Sequence, residues 1–139
     1  MKIIYETIPH SQQRYDTAGD WQWVDNGGTL LAYGSQMSSE DFEFCGAIHE
    51  MSEAYFCKKM GITQKMVDDF DIPYEAAHQR GDVTYPCGCP RLPQSDPGND
   101  IHSPYRWAHI YAEATEAVVA RALRVDWVKA DAECEKPLE

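Results

Sequence analysis

The run His49-Glu50-Met51-Ser52-Glu53 sets an imidazole and a carboxylate four residues apart. On a helix, side chains at i and i+4 leave the same face one turn apart. This is the spacing by which one helix supplies two ligands to one ion. At about 100° per residue, Phe42, Cys45, Phe56 and Met60 fall on that face. The stripe that should enter the core therefore carries a histidine and a carboxylate in its middle, and burying them without partners is costly. A divalent cation satisfies both. His109 and Glu113 repeat the spacing among Ala112, Val119, Ala120 and Leu123, with Glu116 at i+7 close to the His109 direction. Two such helices packed together would join His49, Glu53, His109 and one of Glu113 or Glu116. Glu113 can share an ion with His109. Glu116, roughly 10 Å further along the axis, would serve a second ion or orient a ligand from behind.

Glu50 comes directly after the first of these ligands. In His-Glu-x-x-His metallohydrolases that glutamate is the general base acting on the metal-bound water. Here Glu53 replaces the second histidine. Two histidines and one carboxylate still form a known catalytic ligand set with a position left for water, and on iron the same set supports oxygen chemistry. The reading without a metal is a pair of interhelical His–Glu salt bridges that register the helices.

Other groups invite weaker assignments. Cys87-Gly88-Cys89, with His78 upstream and His102 downstream, can hold a structural zinc that staples a loop, or can be inert loop cysteines. The run Asp96-Pro97-Gly98-Asn99-Asp100 either brings a carboxylate to the site or is a plain turn. Asp68, Asp69 and Asp71 suit Mg²⁺ or Ca²⁺, but a solvated helix face is the expected reading. Trp21 and Trp23 are expected to pack in a core or at an edge.

Local signals outline the scaffold around these residues. Lys2 to Ile8 is a short apolar strand ended by Pro9. The runs 20–24 and 29–33 flank Asp25-Asn26-Gly27-Gly28, a strong hairpin signal. Ser38 and Ser39 offer an N-cap, Glu40, Asp41 and Glu43 fill a first turn, Lys58 and Lys59 a last one, and Gly61 stands where a helix terminates. These signals predict a helix over about 40–60. Thr63 caps a shorter helix through Phe70, Pro73 interrupts the chain beyond it, and another turn or two is expected over 74–79. Residues 81–103 read as an irregular loop with Pro86, Pro90, Pro93 and Pro97, a length that is usually functional or disordered. Pro104 starts a last long helix over about 104–124. Trp127 packs back, and 128–139 is a polar tail. The expected fold is α+β: one domain over 1–139, with a small antiparallel hairpin or sheet on a bundle of two long helices and one short one.

Composition bounds the function. Lys and Arg number 12 against 23 Asp and Glu, a formal charge of −11 over 139 residues. With 43 % apolar and 25 % charged residues the chain is globular in kind. Its charge opposes direct binding to a nucleic-acid backbone, which needs a basic patch. It suits a cation binder, a mimic of an acidic surface, or simple solubility. No apolar run reaches the roughly 18 residues of a membrane span, and no signal-peptide core is evident at the N-terminus. No membrane association and a cytoplasmic location are therefore expected. Five cysteines, an odd number, argue for free or metal-bound thiols over a closed disulfide framework.

Several of these segments recur in order: Gln13-Arg14-Tyr15-Asp16-Thr17-Ala18-Gly19-Asp20-Trp21, His49-Glu50-x-x-Glu53-Ala54, Gly61-Ile62-Thr63, Val67-Asp68-Asp69-Phe70-Asp71, Asp96-Pro97-Gly98-Asn99-Asp100, Pro104-Tyr105, His109 with Glu116, and Val125-Asp126-Trp127. This order resembles a family of small uncharacterised bacteriophage and prophage proteins, over about residues 13–127. The resemblance implies a phage source and a place in the host cytoplasm. It supplies no mechanism. It favours Glu116 over Glu113 as the carboxylate paired with His109.

The expected function is a metal-dependent hydrolase of unknown small-molecule or peptide substrate, with Zn²⁺ held by His49, Glu53, His109 and Glu113, and with Glu50 and Glu116 as catalytic carboxylates. An alternative is a helical nucleotide pyrophosphohydrolase using Mg²⁺ or Mn²⁺ through the i,i+3 pairs Glu50/Glu53 and Glu113/Glu116. A third reading is a non-enzymatic acidic protein that mimics DNA towards a host protein partner. Buried, converging His and Glu would favour an enzyme; an exposed acidic stripe over a closed core would favour mimicry.

Overall fold

The computed structural model describes residues 1–92 and 96–138. Pro93, one of the four prolines of the expected irregular loop, and Glu139 of the expected polar tail lie outside the described residues.

Three strands open the chain: β1 (Lys2–Ile8), β2 (Gly19–Val24) and β3 (Thr29–Ser35). β2 and β3 form the expected antiparallel hairpin, with Trp21 opposite Ala32. Its connection is a tight turn in which Asp25, Asn26 and Gly27 all have positive φ, the backbone that Asn and Gly tolerate best. β1 joins the other edge of β3 in parallel, so the sheet is mixed, in the order β1-β3-β2. Strand pairing depends on the return path of the chain, and an apolar run carries no mark of parallel or antiparallel partners.

Helix α1 (Glu40–Met60) ends where its terminal residues predict. The Ser39 side chain accepts a hydrogen bond from the Asp41 amide, and Gly61 closes the last turn at φ 73°. Helix α2 (Gln64–Arg80) is capped by Thr63 but does not stop near Phe70. It runs through Pro73. That proline is exposed, while Val67, Asp71 and Tyr74 are buried. Packing of both halves offsets the roughly 3 kcal/mol that an interior proline costs. Helix α3 (Arg106–Leu123) begins after Tyr105. A further helix, α4 (Trp127–Glu135), occupies most of the stretch expected as a polar tail, its N-terminus capped by Asp126, whose side chain accepts from the Lys129 amide.

The result is an α+β fold in which the sheet packs on α1 and α1 packs along α3. Trp21, Leu30, Ala32, Ala54, Cys57, Val67, Tyr105 and Ala108 make the core. Ala54, Ala108 and Ala112 are fully buried, and their small side chains let α1 and α3 approach closely. His49 faces Glu116 and Glu53 faces His109, so the two helices run antiparallel. No helix among the described residues is long and apolar enough to cross a membrane.

Between α2 and α3 the described residues are largely irregular, as the prolines predict. They contain a turn closed by a Thr84–Pro90 bridge and a short 3-10 turn at Pro97–Asn99. The second of these lies against α3.

Candidate metal centre

The two helices bring their polar stripes face to face. Glu53 and His109 are both buried. Glu53 Oε2 lies 2.7 Å from His109 Nδ1 and 3.4 Å from His49 Nε2. Its other oxygen accepts a hydrogen bond from the Trp21 indole, at 3.0 Å. His49 Nδ1 pairs with Glu116 Oε2 at 2.8 Å. The two imidazoles meet edge to face, 4.8 Å between centroids. One ligand atom from each of His49, Glu53 and His109 lies within 4.8 Å of the others, so this group could hold a divalent ion.

Ligands about 2.1 Å from a tetrahedral ion stand roughly 3.4 Å apart. The His49–Glu53 contact has that separation already. The Glu53–His109 contact is a hydrogen bond, so an ion would replace a proton there and part the two atoms by less than an ångström. Burial favours neutral imidazoles, but the carboxylates win. The Glu113 and Glu53 carboxylates push His109 up to about 10, and those of Glu116 and Glu53 raise His49 well above its ordinary value. Burial likewise opposes the Glu53 charge, yet its bonds to both histidines hold it well below the usual carboxylate range. Without metal the cluster is a compensated set of ions. Metal binding must then displace protons and becomes tighter as pH rises.

The second nitrogen of His109 points the other way. Nε2 is buried with no hydrogen-bond partner among the described residues, although Glu113 Oε1 is 3.4 Å away and Asp96 Oδ1 is 3.6 Å away. Glu113 is held there by the side-chain amide of Asn99, at 2.9 Å. The lone pairs of one imidazole diverge, so Glu113 cannot share with His109 an ion bound at Nδ1. Glu116 stands behind His49, where it orients that ring. The Asp96–Asp100 run both forms a turn and brings Asp96 to His109.

Gly98 lies flat on the His109 ring, and a Cβ there would overlap Cγ and Nδ1. Gly98→Ala is therefore expected to displace the ring or the turn. Divalent-metal affinity should fall about 10- to 100-fold, measured by calorimetric titration of the metal-free protein.

Glu50 is half-buried beneath β2, its carboxylate where a Cβ on Gly19 would fall. Burial and the neighbouring Glu53 charge raise its carboxyl well above the ordinary value. His49, Glu50, Glu53 and His109 all line one cleft of about 690 Å³.

The cleft is also lined by a group that the sequence reading missed. Asp71 is buried, and both Tyr105 (2.8 Å) and Tyr15 (3.2 Å) donate to its carboxylate. Of the three acids expected on a solvated face, only Asp69 is exposed; Asp68 is half-buried and pairs with Arg14 at 3.0 Å. Asp71 falls four residues after Val67 and three before Tyr74, so its place on the buried stripe could have been read from helix phase. Burial, followed by the Glu53 charge against the opposing tyrosine bonds, pushes Asp71 up to about 8. The unfolded carboxyl loses its proton near pH 4 and the folded one only near 8, so stability falls as pH rises across that interval. Asp71→Asn should abolish this slope. It should raise stability by on the order of 3 kcal/mol at pH 8 and change it little below pH 4, as denaturant unfolding at both pH values would show.

No family model, no curated protein and no solved structure matches the chain.

Proposed function

We propose that this protein is a metal-dependent hydrolase whose ion, Zn²⁺ in preference to Mg²⁺ or Mn²⁺, is held by His49, Glu53 and His109. The observation that carries the reading is the convergence of these three side chains, two of them buried, in the wall of an open cleft. Two nitrogen donors and one carboxylate suit zinc.

When bound, the ion would polarise a substrate oxygen and lower the pKa of a water. The chain's own residues supply the rest. Glu116 fixes the His49 ring through Nδ1 and leaves Nε2 facing the ligand cluster. Trp21 fixes the Glu53 carboxylate through one oxygen and leaves the other for the ion. Glu50 takes the proton from the attacking water and returns it to the leaving group. Burial and the Glu53 charge raise its carboxyl above the ordinary value, which makes it a stronger base than a solvated carboxylate.

Asp16, Asp68, Asp96 and Glu113 also line the cleft. This lining favours a neutral or cationic small molecule or peptide over a free polyanion, which weighs against the nucleotide reading. The polar groups that require explanation are buried and converge, which supports an enzyme over an acidic mimic.

Hydrolysis should be found on a panel of peptide, amide and ester substrates, stop after dialysis against a chelator, and return with added Zn²⁺. Hydrolysis that survives complete metal removal would contradict the proposal.

A further inference from the structure

A second cluster of metal-ligating side chains lies outside the cleft. Cys87 and Cys89 stand near one end of the Pro-rich stretch and His102 near the other, yet one ligand atom from each lies within 4.8 Å of the others. His78, the other histidine near the motif in sequence, is not in this group. All five cysteines are free thiols.

The convergence is built by the backbone. Gly88 adopts φ 87°, a left-handed conformation that glycine takes without strain. Its amide bonds the Tyr85 carbonyl, and the Tyr85 amide bonds the Cys89 carbonyl, each at 2.8 Å. This tight turn holds the two cysteines together. Arg91 anchors the turn to α2: it is buried, donates to the Tyr74 carbonyl at 2.9 Å and stacks 4.5 Å above the Tyr74 ring. His102 reaches the same place by packing edge-on to Tyr85, 4.8 Å between centroids.

We propose that Cys87, Cys89 and His102 form a second, structural zinc site that fastens this turn to the segment entering α3. Two thiolates and an imidazole are a soft donor set that selects zinc over Mg²⁺ or Ca²⁺, with the fourth position left to solvent. Between Cys89 and His102 lie Asp96, Gly98 and Asn99, the residues that touch His109 and Glu113. A metal closing this loop removes chain entropy from its free state and holds those contacts in place. The site is independent of the catalytic reading: it uses different residues and a different donor chemistry.

Cobalt substitution under reducing conditions tests it, because only a thiolate ligand gives intense near-ultraviolet charge-transfer absorption. The wild type should show that absorption. C87S/C89S should lose it together with one bound zinc per chain, while Cys134→Ser and H49A/H109A should keep it. His102→Ala should weaken zinc at this site at least ~10-fold. All three ligands are exposed, so these substitutions leave the core intact. Absence of the absorption in the wild type, its persistence in C87S/C89S, or unchanged affinity in His102→Ala would overturn the assignment.

Discussion

Glu53→Ala is expected to abolish metal binding at the His49–His109 centre and to destabilise the metal-free protein by about 3–5 kcal/mol. The Glu53 carboxylate stands between three partners. One oxygen takes the Trp21 indole, and the other faces both histidines. Removing the carboxylate leaves an indole N–H without its acceptor and two imidazoles whose charge it had sustained. His109 loses its 2.7 Å partner altogether, whereas His49 keeps Glu116. The larger part of the penalty therefore falls on His109. Glu53→Gln separates charge from hydrogen bonding: its carbonyl can still accept from Trp21, so it should lose the metal equally but cost less stability. Denaturant unfolding of the metal-free proteins, with metal content measured in parallel, checks both statements. Equal stability of Glu53→Ala and the wild type would mean that the cluster contributes nothing to the fold.

The second large effect concerns turnover. Glu50→Gln should retain the metal, fold normally and lose about 10²–10⁴-fold in kcat. Glutamine fills the same space beneath Gly19 but cannot take a proton from water. KM should change little, because Glu50 is assigned to proton transfer and not to substrate binding. Loss of metal together with activity would make Glu50 a ligand. Full activity on an identified substrate would remove it from the mechanism.

Much of this arrangement is legible in the order of residues alone. The caps of α1 at Ser39 and Gly61, the turn at Asp25–Gly28 and the two His-x-x-x-Glu stripes are local signals, and local chemistry settles them. Phase arithmetic correctly requires partners for His49 and Glu53, since apolar neighbours on the same face imply burial. It cannot decide which nitrogen of His109 faces which carboxylate, because that depends on the antiparallel packing of α1 on α3. So Glu113 and Asp96 emerge on one side of the ring and Glu53 on the other. Asp71 is misjudged for a related reason. Three aspartates within four residues look like a solvated face, and only their phase relative to Val67 and Tyr74 separates the buried one. Pro73 misleads through propensity, which tertiary packing of both halves of α2 overrides. The tail is polar in composition, yet it has a capping Asp126 and folds as α4.

His49, Glu53 and His109 are proposed to bind one divalent ion. Elemental analysis of the purified protein, carried out on a C87S/C89S background so that the loop cysteines contribute nothing, measures it directly. One equivalent of zinc in that protein, and none in its His49→Ala and His109→Ala derivatives, is the predicted result. No stoichiometric metal, with added zinc bound no better by that protein than by either derivative, would contradict it and leave the cluster as a set of buried ion pairs.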